Sequence, residues 1–239
     1  MNGFLASALF LQCNETEMML IVTHMPKTGG TTLRRYLSDV YGKKLFQEYR
    51  LVPSPALPLW RRAFVALGSE RAKIPPGTSC IIGHFRATKY LSVLPNARHA
   101  VWLRDPVERV LSHFHFNLRH PEAVKAEWHG LSLERFLEHP FVANNQAWVL
   151  DGRPLRDFDF VGDFECFNTS LQVFARQFAL PAPSHGMILN NNPERLGSKY
   201  EVSDELRARI LELNTEDQAL YLEAKELFRQ RMETMAMIQ

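Results

Sequence analysis

Short apolar runs alternate with amphipathic stretches along most of the chain, and each run stops at a small, polar or proline residue. Met18 to Met25 (MMLIVTHM) is apolar and partly β-branched up to Pro26, a pattern that predicts a buried strand. Ser79 to Ile82 ends at Gly83-His84, Ala100 to Leu103 ends at Arg104, and Phe158 to Gly162 is a fourth short run of this kind. Between them the spacing changes. Leu33, Tyr36, Leu37 and Val40 recur at helical intervals, as do Val107, Val110, Leu111, Phe114 and Leu118.

Further helices are predicted at Ser132 to Glu138, Val142 to Leu150 and Asn168 to Phe178. Ser203 opens another, and Thr215-Glu216-Asp217-Gln218 has the capping-box form that opens the last. Asp105-Pro106-Val107-Glu108 is a helix start of the same kind, with proline at the first helical position. Pro53, Pro55 and Pro58 mark an irregular connection over 52 to 62, Pro75-Pro76-Gly77 a second break, and Asn190 to Tyr200 a polar loop. Strand and helix in alternation predict an α/β fold with a mainly parallel central sheet flanked by helices. No repeat or long linker divides the chain, so one P-loop-type domain is expected over residues 1–239, with 1–17 as a poorly ordered extension.

Composition narrows the class. At 239 residues, 46% hydrophobic and 23% charged, the chain is neither disordered nor a membrane bundle. A formal balance of +2 is too small for a protein that coats nucleic acid, yet it permits one focused basic pocket. No run reaches the ~20 apolar residues of a membrane helix, and Phe4 to Leu11 is too short and lacks a basic start. Cys13, Cys80 and Cys166 form neither a disulfide framework nor a zinc set, which fits a reducing compartment.

The candidate chemistry lies at the strand ends. Pro26-Lys27-Thr28-Gly29-Gly30-Thr31-Thr32 joins the first strand to the first helix. Paired glycines let the backbone approach an anion, the helix start directs amides at it, and Lys27 with Thr28, Thr31 and Thr32 adds a cation and hydroxyls. The order is not that of a Walker A loop, because Lys27 precedes the glycines. Arg104 ends the third strand and offers a fork of donors to a phosphate, with Ser112 eight residues on. Without the first loop, Arg104 reads equally well as a partner of Asp105 or Glu108. His84 is either an acid–base group or an ordinary strand-end histidine. His113 and His115 lie two apart on a helix and so face apart, which argues against a shared metal; no metal is expected.

The segment IVTHMPKTGGTTL resembles the 5′-phosphosulfate loop of sulfotransferases that use 3′-phosphoadenosine 5′-phosphosulfate (PAPS), in particular the carbohydrate branch that includes heparan sulfate 2-O-sulfotransferases. VWLRDPVERVLSHFHF resembles the 3′-phosphate motif of the same family. The resemblance implies that Lys27 and His84 are catalytic, His84 as base. It also implies that Lys27, Thr28, Gly29, Gly30, Thr31, Thr32, Arg104 and Ser112 bind PAPS and its product PAP (adenosine 3′,5′-bisphosphate). His24 matches the H-x-P-K form of this branch and reads as packing around the site. Ser198, Lys199 and Tyr200 lie where the family has a loop closing over the nucleotide. The implied partner is a small-molecule or carbohydrate acceptor. Golgi members carry an amino-terminal membrane anchor; with no such run here, a cytoplasmic setting is expected.

Two rival readings fit the same residues. A P-loop kinase using ATP would need a hydroxyl after the lysine and an acidic metal ligand at a strand end, where Asp105 is better used as a helix cap. A catalytically silent nucleotide-binding module would keep the loop and Arg104 without requiring His84.

Overall fold

A computed structural model describes residues 18–49, 74–123, 128–184 and 199–237. Strands β1 (Leu20–Thr23), β2 (Leu45–Glu48), β3 (Cys80–Gly83), β4 (Arg98–Leu103) and β5 (Phe160–Asp163) form one sheet in the order β2-β3-β1-β4-β5. Every described pairing is parallel. Helices α1 (Gly30–Tyr41), α2 (Pro106–Arg119), α3 (Leu133–Leu137), α4 (Asn145–Leu150), α5 (Phe167–Gln177), α6 (Asp204–Leu213) and α7 (Thr215–Met237) complete the described elements of four residues or more. The α/β architecture with a parallel sheet between helices is the one the hydrophobic pattern predicts.

Alternation along the strands sorts the core into two faces. Leu20, Val22, Cys80, Ile82, Ala100, Trp102 and Phe160 turn to one side, against Leu33, Tyr36 and Leu37 of α1 and Leu171 and Phe174 of α5. On the other side Ile21 and Ile81 pack with Phe46, Phe85 and Tyr90. Val101, Leu103 and Val161 pack there with Val149 and Leu150 of α4 and with Tyr221 and Ala224 of α7. Because both faces are covered, the strands read as continuous apolar runs. Phe228 of α7 joins the first face while Tyr221 and Ala224 join the second, so this helix spans the edge strand β5.

Strand β2 is not predicted from the sequence. It is four residues long with only Phe46 and Glu48 buried, too short to show a period. The residues predicted as a 1–17 extension, the 52–62 connection and most of the 190–200 loop lie outside the described residues. The helix predicted from Val142 begins at Asn145, because Asn144 takes a left-handed conformation (φ 46°) that breaks the turn before it.

The capping box expected at Thr215 is replaced by a reciprocal arrangement. Asn144 Oδ1 accepts from the amides of Glu216 (3.1 Å) and Asp217 (3.2 Å) at the start of α7. Asp217 in turn accepts from the amides of Gln146 (3.2 Å) and Ala147 (2.8 Å) at the start of α4. The two helices cap each other. Asp217 also faces Arg109 of α2 at 3.6 Å, and both side chains are 0% exposed. Arg109 further donates to the carbonyl of Val142 (2.5 Å).

Removing one partner of such a pair leaves a buried charge uncompensated, at a cost of about 3–5 kcal/mol. Asp217→Ala is therefore expected to lower unfolding free energy by about that amount, measured by urea denaturation. A loss below about 1 kcal/mol, the value of an exposed pair, would contradict this account of the core.

Candidate active site

Parallel strands end on one side of the sheet, and the residues just beyond them make the site. From β1 the chain enters the loop through His24, whose amide still donates to the Gly83 carbonyl (2.9 Å). Lys27 and Gly29 both take positive φ, 70° and 81°. Two such residues in three fold the loop tightly back into α1. Gly29 is needed for space as well, since a Cβ there would lie 2.6 Å from the Phe167 ring. At Gly30 a Cβ would fall 1.7 Å from the His24 imidazole. The glycine pair is thus where side chains from elsewhere close over the loop.

The start of α1 has no side-chain cap and no acidic residue in its first turn. At α2, by contrast, Asp105 accepts from the amides of Val107 (2.9 Å) and Glu108 (3.1 Å), the cap read from the sequence. An uncapped helix start beside a lysine suits an anion. Thr28 is buried and donates its hydroxyl to the Met25 carbonyl (2.9 Å), so that proton shapes the loop and is not available to a ligand. Thr32 is also buried, and Thr31 is half-buried.

The Lys27 ammonium stands 4.1 Å from the centre of the Phe116 ring. Burial, with Arg104 and Arg119 nearby, brings its pKa down to about 8. Arg104 is buried and tied to the loop by donating to the Lys27 carbonyl (3.0 Å). It also pairs with Glu108 (3.7 Å) and Glu165 (3.5 Å), and its guanidinium lies 4.4 Å from the Phe164 ring centre. Asp105 is not its partner; the cap uses that carboxylate. Gln146 fixes the Arg104 backbone on both sides, accepting from its amide (2.9 Å) and donating to its carbonyl (3.0 Å). Ser112 lies half-buried on α2.

His84 follows β3 and is held by four contacts. Its amide donates to the Glu48 carbonyl at the end of β2 (3.0 Å). Its ring stacks on His24, with centroids 4.4 Å apart and planes at 29°, and meets the Tyr49 ring edge-on at 4.9 Å. Its Nδ1 lies 2.7 Å from the His24 carbonyl. A carbonyl only accepts, so Nδ1 carries the proton, and in the neutral ring Nε2 keeps a lone pair. Burial pushes the His84 pKa below the ordinary imidazole value, against the pull of that hydrogen bond and assisted by Arg34. The ring is therefore neutral near pH 7.

The other histidines fall as their spacing implies. His113 is enclosed by Trp128 (5.4 Å) and Phe136 (5.2 Å), and burial, with Arg109 and Lys27 nearby, holds its pKa near about 3. His115 faces elsewhere and stacks on Tyr200 at 5.1 Å. Tyr200 is tied to α2 through its amide, which donates to Glu108 (3.0 Å), while Ser198 lies outside the described residues. Sequence reasoning did not single out Gln146, Glu165, Phe116 or Tyr49. Phe116 closes the segment that holds Arg104 and Ser112, but nothing in that segment assigns it a contact with Lys27; Gln146, Glu165 and Tyr49 reach the site from other elements and belong to no recognisable motif.

No family model matches the chain. In sequence it is similar to human heparan-sulfate 6-O-sulfotransferase 1, with 25% identity over 283 aligned positions covering 89% of this chain and 66% of the relative. The chain thus spans just under two thirds of that relative's length. Among solved structures, a sulfotransferase from Alicyclobacillus acidocaldarius aligns with TM-score 0.47 and 15% identity over 85% of this chain and 94% of its own. Mouse sulfotransferase SULT7A1 complexed with PAP aligns with TM-score 0.44 and 14% identity over 82% and 64%. The sequence relative is a 6-O enzyme, so this similarity supports the sulfotransferase family without selecting its 2-O branch. The sequence similarity is thus to a sulfotransferase, the same kind of protein that the two strand-to-helix segments resemble.

Proposed function

We propose that the protein transfers the sulfuryl group of PAPS to a hydroxyl of a carbohydrate or other small acceptor. The observation that carries this reading is the pairing, at one sheet edge, of an uncapped Gly-rich helix start bearing Lys27 with an imidazole whose Nε2 is left as acceptor. In this scheme the amides around Gly29, Gly30, Thr31 and Thr32 hold the 5′-phosphate. Arg104 and Ser112 face the 3′-phosphate, although Arg104 must share its donors with Glu108 and Glu165. His84 Nε2 takes the acceptor proton and the acceptor oxygen attacks sulfur in line. The bond from sulfur to the bridging phosphate oxygen breaks, PAP leaves, and Lys27 neutralises the charge growing on that oxygen. Positioning and charge stabilisation dominate such a transfer. Incubation with PAPS and a panel of hydroxylated acceptors, with mass spectrometry for PAP and sulfated product, tests it directly. Calorimetric titration with PAP and with ATP, with and without magnesium, separates it from a kinase.

The reaction requires neutral His84 and protonated Lys27, so kcat/KM is expected to be bell-shaped. Its acid limb lies below 6.5, where the lowered imidazole becomes protonated, and its alkaline limb near about 8, where Lys27 loses its proton. His84→Ala should lower turnover by roughly 10²–10⁴ and abolish the acid limb, with PAP affinity near wild type. Wild-type turnover in that variant would remove His84 from the mechanism.

Lys27→Ala should lower turnover by about 10²–10³, the usual value of one transition-state contact, and abolish the alkaline limb. PAP binding should weaken much less. A folded variant with unchanged turnover would refute the assignment.

Arg104→Ala should weaken PAP by about 1.5–3 kcal/mol and adenosine 5′-phosphate little, because only PAP carries a 3′-phosphate. Equal losses for both would make Arg104 a brace for the Lys27 loop, the role its existing partners also suit.

A further inference from the structure

The His24 side chain has no part in the scheme above, yet its ring is the one most tightly enclosed at the sheet edge. On one side it lies against Gly30, so close that a Cβ there would overlap it at 1.7 Å. On the other it stacks on His84 at 4.4 Å. Its Nδ1 stands 3.1 Å from the Tyr49 hydroxyl, and the Tyr49 ring in turn closes edge-on against both His24 (5.9 Å) and His84 (4.9 Å). Arg34 of α1 sits 5.8 Å from the Tyr49 ring centre. A single imidazole therefore lies against both the Gly30 end of the anion loop and the ring of the strand-end histidine.

We propose that His24 is a positioning residue, a spacer braced by Tyr49 that sets the distance and angle between the Gly30 end of the anion loop and the His84 ring. This rests on the reading of His84 as the base. The geometry gives three consequences. A stacked partner restricts rotation of the His84 ring about its Nδ1 hydrogen bond, so Nε2 keeps one direction. The wedge excludes water from the ring's inner face. It also rules out a larger residue at position 30, so spacer and glycine are a matched pair.

Two features make His24 fit for this task. Burial and the neighbouring His84, Arg34 and Lys27 hold its pKa well below the ordinary value, so it stays neutral and does not repel the loop's cations. Tyr49, pushed up to about 12 by burial, keeps its hydroxyl proton through the working range and can hold the imidazole throughout. Among the described residues, the charged and titratable groups facing His84 are His24, Tyr49 and Arg34, with Lys27 and His113 further off.

The test uses the full chain and variants His24→Ala, His24→Gln and Tyr49→Phe. The His84 ring protons are followed by NMR from pH 4 to 8, assigned with His84→Ala, which needs no substrate. In His24→Ala, water reaches the inner face, and the His84 titration is expected to move up towards the ordinary histidine value. With any acceptor that yields sulfated product, kcat should fall about 10- to 100-fold, the cost of a misplaced reacting group, while the KM for PAPS and PAP affinity stay near wild type. His24→Gln, whose flat amide can stack and reach Tyr49, should recover part of kcat. Tyr49→Phe leaves the packing intact and should lower kcat less. If His24→Ala shifts the His84 titration but the wild type makes no sulfated product, the spacer stands and the sulfotransferase reading fails. An unmoved titration with unchanged kcat would overturn the spacer. So would a joint fall of kcat, PAP affinity and melting temperature in all three variants, which would make the group merely structural.

Discussion

The site depends on the register of β1 between its two parallel neighbours. Thr23 stands opposite Gly83 of β3 and Val101 of β4, so the three strands run out within a few residues of one another. Parallel strands deliver their carboxyl ends to the same side, and the helices that follow bring their amide-bearing ends there. The Lys27 loop, His84 and Arg104 are what these strands carry past the sheet. A slip of one residue in β1 would turn Leu20 and Val22 to the wrong face and move His24 away from Gly83. The core on both faces therefore fixes the chemistry at the edge.

Behind that edge lies a chain of buried polar contacts reaching from α7 to the loop. Asp217 meets Arg109 and caps α4, Gln146 of α4 grips the Arg104 backbone, and Arg104 bonds the Lys27 carbonyl. A buried ion pair contributes little net stability against well-packed apolar side chains, because desolvation offsets the attraction. Its effect here is directional. Each bond has one geometry, so the strand end and the loop hold a fixed relation that apolar packing alone would leave looser.

Charge at the site is poised for an anion. Arg104 and Arg119 crowd Lys27 enough, together with burial, to lower its proton affinity. A bound phosphate would relieve that strain and raise the proton affinity again. The two imidazoles beside it are both kept neutral by burial, so the cationic field is not spread onto the histidine that would need a free lone pair. The candidate acid–base and anion-binding groups thus share one small edge without exchanging their charge states.

The sequence by itself determined the parallel α/β plan, the loop at Pro26 to Thr32, the start of α2 at Asp105 and the opposed faces of His113 and His115. These are local properties: a continuous apolar run, a glycine pair, a cap three residues from its target, a helical period. Only the tertiary structure decided what His84 and Arg104 touch. Strand β2 was illegible because it is four residues long and one of its two buried positions is a glutamate, so it offers no apolar run, yet it brings the Tyr49 ring to His84. Arg104 could be read towards a phosphate, Asp105 or Glu108, and folding gave it Glu108 together with Glu165, a residue 61 positions away that arrives beyond β5. Asp217 looked like part of a local capping box and instead caps another helix and faces Arg109. A side chain's range of partners is set by local chemistry, but the choice among them is made by which strands pair and which helices pack. That choice rests on long-range burial, which no window of the sequence contains.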